Sequence, residues 1–293
     1  MPSTADTTAQ VFEQARPRLR RLAYRMLGSV ADAEDAVQDT YLRWRQADRD
    51  LIEVPEAWLT TTCTRRCLDL LRAAHRSRVD YVGPWLPEPI MEPLDYGNEA
   101  ELAASLSTAF LLLLECLTPN ERAAFLLREV FDADYADVAA ALDKNEAACR
   151  QLVARARKHV GGDRSRFEPA PARAGELLDE FLAALQSGDL ADLQDLLAED
   201  VELWGDGGGK VIAARNVLHG ISDTARFLAG AWKKVWSLCE TRRGHFNGGP
   251  GLLIWHEGTL HGALSLAADD SGRITGVYIV RNPEKLAHLS EGA

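Results

Sequence analysis

The chain has 293 residues, of which 46% are hydrophobic and 26% charged, and its formal net charge is −11. This length suits two or three domains, and the composition is that of globular material, which excludes a fibrous or disordered chain. The longest apolar run, residues 109–114, is too short to span a bilayer, the first residues lack a basic-then-apolar leader, and five scattered cysteines (Cys63, Cys67, Cys116, Cys149, Cys239) contain no Cys-x-x-Cys pair. The expectation is a soluble, cytoplasmic protein with reduced core thiols, no metal and no cofactor.

Positive charge is concentrated despite the acidic total. Residues 1–78 carry 13 basic and 11 acidic side chains and residues 141–166 carry 7 and 3, whereas residues 79–140 carry 2 and 12. Short basic segments inside an acidic chain suit a phosphate backbone, and they equally suit two solvated helix faces.

In chain order, Leu19, Leu22, Ala23, Met26 and Leu27 follow the spacing of one buried helical stripe. Residues 28–48 open on a glycine break and run as a helix, with Val37, Tyr41 and Trp44 inward and Asp35, Gln38, Asp39 and Arg43 mostly outward. A third helix over 54–78 has Pro55 near its first turn and ends in Arg72, His75, Arg76 and Arg78. The stretch "YVGPWLPEP" (81–89) has three prolines and a glycine, so it is not helix, yet Tyr81, Val82, Trp85 and Leu86 call for an apolar partner. Thr118-Pro119-Asn120-Glu121 reads as a capped helix start. Residues 134–160 then form a short helix, a polar turn at 143–145 and a basic second helix. This is a helix-turn-helix pattern, although helix pairs with short turns also occur in ordinary bundles.

Residues 161–175 read as a linker. Beyond it come two helices leading into a strand (176–203), a further helix (224–236) and β-hairpins (245–280), together an α+β domain. "DGGGK" (206–210) lacks the Ser or Thr that follows the lysine of a phosphate loop, which argues against nucleotide binding. His245, His256 and His261 fall in the strands. They are either structural or aimed, with Trp204, Asp206 and Trp255, into a cavity where an acid–base pair would sit.

"AEDAVQDTYLRWRQ" with "PEAWLTTTCTRRCLDLLRAAHR" resembles the sigma-2 domain of extracytoplasmic-function (ECF) sigma factors, and "LTPNERAAFLLREVFDADYADVAAALDKNEAACRQLVARARK" resembles their sigma-4 domain. The C-terminal part is similar to the SnoaL-like (nuclear-transport-factor-like) fold. One sigma-factor group carries this fold as a fused extension, marked by "WLPEP", "DGGGK" and a final "NPDKL", which stands here as "NPEKL" (282–286). The resemblance implies two all-α sigma domains followed by an α+β cone-shaped domain: sigma-2 at 9–78, a proline-rich linker at 79–104, sigma-4 at 105–160, a linker at 161–175 and a SnoaL-like regulatory domain at 176–293.

The function implied is non-enzymatic: binding core RNA polymerase and directing initiation at promoters through −10 and −35 elements, with the C-terminal domain regulating in cis. By the resemblance, Asp35, Gln38, Asp39 and Arg43 face the polymerase. Arg65, Arg66, Asp69, Arg72 and Arg76 face the −10 element, where an unstacked base and its phosphates are held. Asn145, Arg150, Gln151, Arg155, Arg157 and Lys158 face the −35 element in the major groove. Tyr81, Trp85, Leu86, Asp206, Lys210, Asn282, Pro283 and Leu286 are the expected regulatory contacts, through which the linker docks on the C-terminal domain of a free monomer; packing of Trp85 on sigma-2 is the alternative. A ligand sensor or SnoaL-type enzyme in the C-terminal domain, with the sigma part as output, is the second functional reading.

Overall fold

The structure is a computed structural model that describes residues 4–77, 80–91, 107–161 and 171–290. It divides into two compact units, Met1–Asp80 with Leu113–Gly161, and Tyr81–Leu112 with Gly162–Ala293.

The first unit is helical. Helices α1 (Thr4–Leu27), α2 (Val30–Gln46) and α3 (Pro55–Ser77) pack on one another around Leu19, Leu22, Met26, Val37, Trp44 and Leu59. Gly28, at φ 67°, ends α1, and the Ser29 hydroxyl accepts from Asp32 N to cap α2. Helix α4 (Thr108–Glu115) contains the division between the units. Helix α5 (Pro119–Phe125) starts as the sequence indicates: Thr118 and Glu121 form a capping box with Pro119 in the first turn. A π turn, Leu126–Val130, follows.

Helices α6 (Tyr135–Leu142) and α7 (Glu146–Gly161) form the helix-turn-helix, and Asp143 at φ 53° makes the left-handed turn between them. Val138, Leu142, Cys149, Leu152 and Val153 are buried there, which leaves the basic face of α7 to solvent. Helix α3 packs on α5 and α6, so both helical blocks share one body.

The second unit is an α+β domain. Its sheet has strands β1 (Leu197–Asp206), β2 (Leu218–His219), β3 (Glu240–Phe246), β4 (Gly249–His256), β5 (Thr259–Ala268) and β6 (Ile274–Val280) in the order β2-β1-β6-β5-β4-β3. Among these described strands, β1 and β6 pair in parallel and the other neighbours are antiparallel. Helices α8 (Pro171–Ser187), α9 (Leu190–Leu196) and α10 (Ile221–Lys234) belong to a core with one sheet face, where Phe181, Leu193 and Leu228 join Leu252, Ile254, Val277 and Ile279.

Alternate residues of the same strands, Leu253, Trp255, Tyr278 and Val280, join a second cluster. That cluster is completed by Leu86 of the proline-rich segment and by Leu286 and Leu289 of α11 (Pro283–Ser290). The sheet is therefore covered on both faces, and β6 is buried at all seven positions. An antiparallel hairpin with one wet face would alternate; the proline-rich segment and α11 remove the wet face here.

Candidate functional site

The proline-rich segment runs along the second unit as extended chain held by side chains. Asp206, at the end of β1, is 0% exposed, and Lys285, on α11, is 6% exposed. Their ion pair is 2.7 Å long. The same carboxylate accepts from Tyr81 Oη at 2.6 Å, Leu86 N at 2.9 Å and Gly208 N at 3.1 Å. Lys285 also donates to the Leu86 carbonyl and lies 4.1 Å from the Trp85 ring centroid and 5.1 Å from that of Tyr81. Asn282 Nδ2 donates to Tyr81 Oη at 3.0 Å. Burial, and then the adjacent Asp206 carboxylate, push the Tyr81 phenol above its ordinary value.

The backbone around this cluster is shaped to fit. The Asp206 carbonyl accepts from the N–H groups of Arg281 and Asn282, which fixes the start of α11. Gly208 has φ 58°, and a Cβ there would lie 2.3 Å from Asn282 Nδ2, so only glycine closes the turn. Lys210 forms an ion pair with Glu284. Farther along, His288 Nε2 and the Pro89 carbonyl are 2.7 Å apart, and Ile90 exchanges hydrogen bonds with Asn247.

Of the expected contacts, Tyr81, Trp85, Leu86, Asp206 and Asn282 converge on one cluster; Pro283 starts α11, Leu286 joins the apolar cluster and Lys210 stands at the margin. The fully buried anchor is Leu86, while Trp85 is half-buried and Val82 exposed. Sequence reasoning missed Lys285, His288 and Asn247. Lys285 had a signal, because it stands within "NPEKL" and shares the inward helix face of Asn282, Leu286 and Leu289.

In the first unit, Asp35, Gln38 and Arg43 of α2 are exposed, and Leu42, which the sequence did not single out, is 44% exposed beside them. Asp39 is bound by Arg66 at 2.6 Å. On α3, Arg65 donates to the carbonyls of Ala140 and Ala141 at the end of α6, at 2.7 Å and 3.3 Å. Asp69 holds Arg72 at 3.3 Å, and the Arg76 side chain lies outside the described residues. The loop before α3 exposes Leu51 and Val54, an apolar tip absent from the sequence reading.

On the helix-turn-helix, Asn145 Oδ1 accepts from Ala148 N as a cap. Arg150 pairs with Glu146 and lies over the Tyr135 ring, Arg155 pairs with Glu121, and Arg157 pairs with Glu129. Gln151 and Lys158 are exposed. Most of the guanidinium groups in question are thus engaged by protein acceptors within the unit.

The alternative of an acid–base pair built on Asp206 does not form, because its carboxylate is committed to Lys285, Tyr81, Leu86 and Gly208. His256 and His261 stack edge to face at 5.5 Å. The thiols divide as well: Cys63, Cys67 and Cys149 are buried, but Cys116 is exposed and Cys239 half-buried, so not all five belong to cores.

Comparison with known proteins identifies the two helical blocks and the overall fold. The sigma-70 region 2 family matches residues 11–77, and the sigma-70 region 4 family matches residues 107–160. The ECF RNA polymerase sigma factor SigJ of Mycobacterium tuberculosis (strain ATCC 25618 / H37Rv) is 41% identical over 224 residues, which cover 75% of this chain and 71% of that protein. The probable ECF RNA polymerase sigma factor SigI of the same strain is 27% identical over 98% of this chain and 97% of its own. The crystal structure of Mycobacterium tuberculosis SigJ superposes with a TM-score of 0.76 at 32% identity, covering 95% of this chain and 98% of that one.

Proposed function

The chain belongs to the extracytoplasmic-function RNA polymerase sigma factors, and from that premise we propose that its C-terminal domain restrains the sigma part in cis by clamping the inter-domain segment. Sigma factors direct promoter recognition by binding, so the chemistry required is a set of exchangeable contacts rather than catalysis.

The polymerase-facing candidates are Asp35, Gln38 and Arg43, with Leu42 beside them, on the solvated face of α2. The −10 candidates are Arg65, Arg66, Asp69, Arg72 and Arg76 of α3, and the loop before that helix exposes the apolar Leu51 and Val54, which suit an unstacked base. The −35 candidates are Arg150, Gln151, Arg155, Arg157 and Lys158, with Asn145 as the cap that orients the recognition helix. In the free protein Arg65 bonds to the end of α6, and Arg155 and Arg157 bond to carboxylates. Promoter binding therefore exchanges internal acceptors for phosphates and base edges, and α3 and α6 must separate for Arg65 to act.

The observation that carries the cis restraint is the buried Asp206 carboxylate, which holds Tyr81, the Leu86 amide and Lys285 together. A proline-stiffened segment pinned at Tyr81 and Leu86 limits how freely the sigma halves on either side of it rearrange. Release of the segment is then a regulated step.

The test is run-off transcription with core polymerase on a promoter taken from upstream of the chain's own gene. Leu86→Ala, which empties the buried anchor, raises transcript yield at equal core affinity. Equal yields from the parent and the variant refute the restraint.

A further inference from the structure

The second unit contains a cavity of about 340 Å³ between the C-terminal half of α10 and the ends of β1 and β6. Its size is at the lower end of the range for small-molecule sites. Gly205, Phe227, Ala231, Trp236 and Ile279 line it, and no acidic side chain does so among the described residues. The apolar character continues outward, because Ile212, at 88% exposed, stands at the mouth.

Two observations separate this cavity from a packing defect. Arg281 lines it half-buried, and its hydrogen-bond acceptors among the described residues are two backbone carbonyls, those of Ile212 and His261. No carboxylate among the described residues balances it, and burial lowers the guanidinium from its ordinary value. A partly buried cation without a counter-ion favours an anion from outside.

The second observation is Gly230. It stands inside α10, its φ is not in the positive region, and a Cβ built on it meets nothing within 4 Å. Alanine would fit there and strengthen the helix. The glycine serves neither a turn nor a close approach, and it lines the cavity, where any larger side chain would take up space.

We propose that this cavity binds a small organic monoanion, a carboxylate on an apolar body. The carboxylate pairs with the Arg281 guanidinium, and the body packs against Phe227, Ala231, Trp236 and Ile279. Lys234, exposed at the rim and without a carboxylate partner among the described residues, adds positive potential. The site adjoins the Asp206 clamp, because Gly205 lines it and the Arg281 backbone N–H donates to the Asp206 carbonyl, but neither reading requires the other.

Isothermal titration calorimetry of the full chain tests it with three probes of equal chain length: decanoate, decanol and decyltrimethylammonium. Decanoate binds saturably at one site, at least tenfold more tightly than decanol, as a charge-assisted hydrogen bond to a partly buried group implies. The cation does not bind. Gly230→Leu, which fills the space, abolishes decanoate binding, and Arg281→Met brings decanoate down to the affinity of decanol. Circular dichroism melting establishes that each variant is folded, and either folded variant suffices. Absence of decanoate binding to the parent, equal affinity for decanol, or parent-like decanoate affinity in a folded variant overturns the proposal.

Discussion

Asp206→Ala is the perturbation that most directly tests how the second unit holds the proline-rich segment. It leaves the Lys285 ammonium, 6% exposed, without its carboxylate, and it removes the acceptor of Tyr81 Oη and of the Leu86 and Gly208 amides. Removing one partner of a buried ion pair costs about 3–5 kcal/mol, chiefly because the other charge remains buried. Asp206→Leu combined with Lys285→Met removes both charges at similar bulk, so its cost falls to about half or less, the residue being the unsatisfied Leu86 amide at ~1–3 kcal/mol.

Urea unfolding of the full chain, followed by tryptophan fluorescence, measures both variants, and the cycle closes with Asp206→Leu and Lys285→Met each alone. Hydrogen exchange of residues 81–91 reads the clamp itself: Leu86 N–H loses protection in Asp206→Ala while the amides of β6 keep theirs. If the double variant is as unstable as Asp206→Ala, the buried charge is not what matters. Unchanged Leu86 exchange in Asp206→Ala would show that the segment is held by its apolar contacts alone.

Three further outcomes follow from the same geometry. Gly208→Ala, strained at φ 58° and pressed against Asn282, costs about 1–3 kcal/mol and speeds proteolysis within residues 81–91, both read on the full chain. The Tyr81 phenol is held above its ordinary value in the folded state, so its contribution is complete below pH ~10 and is lost as pH rises through the folded value. The difference in melting temperature between the parent and Tyr81→Phe therefore shrinks above pH ~10, and a constant difference contradicts the assignment. Glu121 is pushed up by burial but more strongly held down by bonds from Thr118 and by Arg155, so its contribution is present at neutral pH and lost as pH falls through its lowered value. Glu121→Gln keeps the capping box but removes the charge that faces Arg155, so it lowers stability by about 1 kcal/mol or less at pH 7, and the loss vanishes in acid melts.

Elements whose signals are local can be read directly from the chain. The α5 start is written in four consecutive residues, because a capping box and a first-turn proline need no distant partner. The helix-turn-helix is equally legible, since its buried stripe, polar turn and basic face repeat at helical spacing within 27 residues of chain (134–160). The glycine-bearing turns of the hairpins, at Asn247-Gly248 and Glu257-Gly258, mark themselves through the positive φ they require. Motif resemblance carried the reading further, to the family and to the segments that meet at Asp206.

Tertiary structure alone decided what those residues do to one another. No pattern in "DGGGK" says that its aspartate is buried against a lysine 79 positions later, or that Leu86 rather than Trp85 is the fully buried anchor. The basic side chains of α3 and α7 look like free phosphate ligands in the sequence. In the fold Arg65 bonds to backbone carbonyls 75 and 76 residues away, and Arg157 to Glu129. The cavity beside Arg281 is likewise invisible in the chain, because it exists only where α10 stands off β1 and β6. The physical reason is common to all of these. Caps, turns and amphipathic stripes are set by neighbours a few residues apart, whereas the pairing of a buried charge and the shape of a void depend on which distant surfaces the packed core brings together.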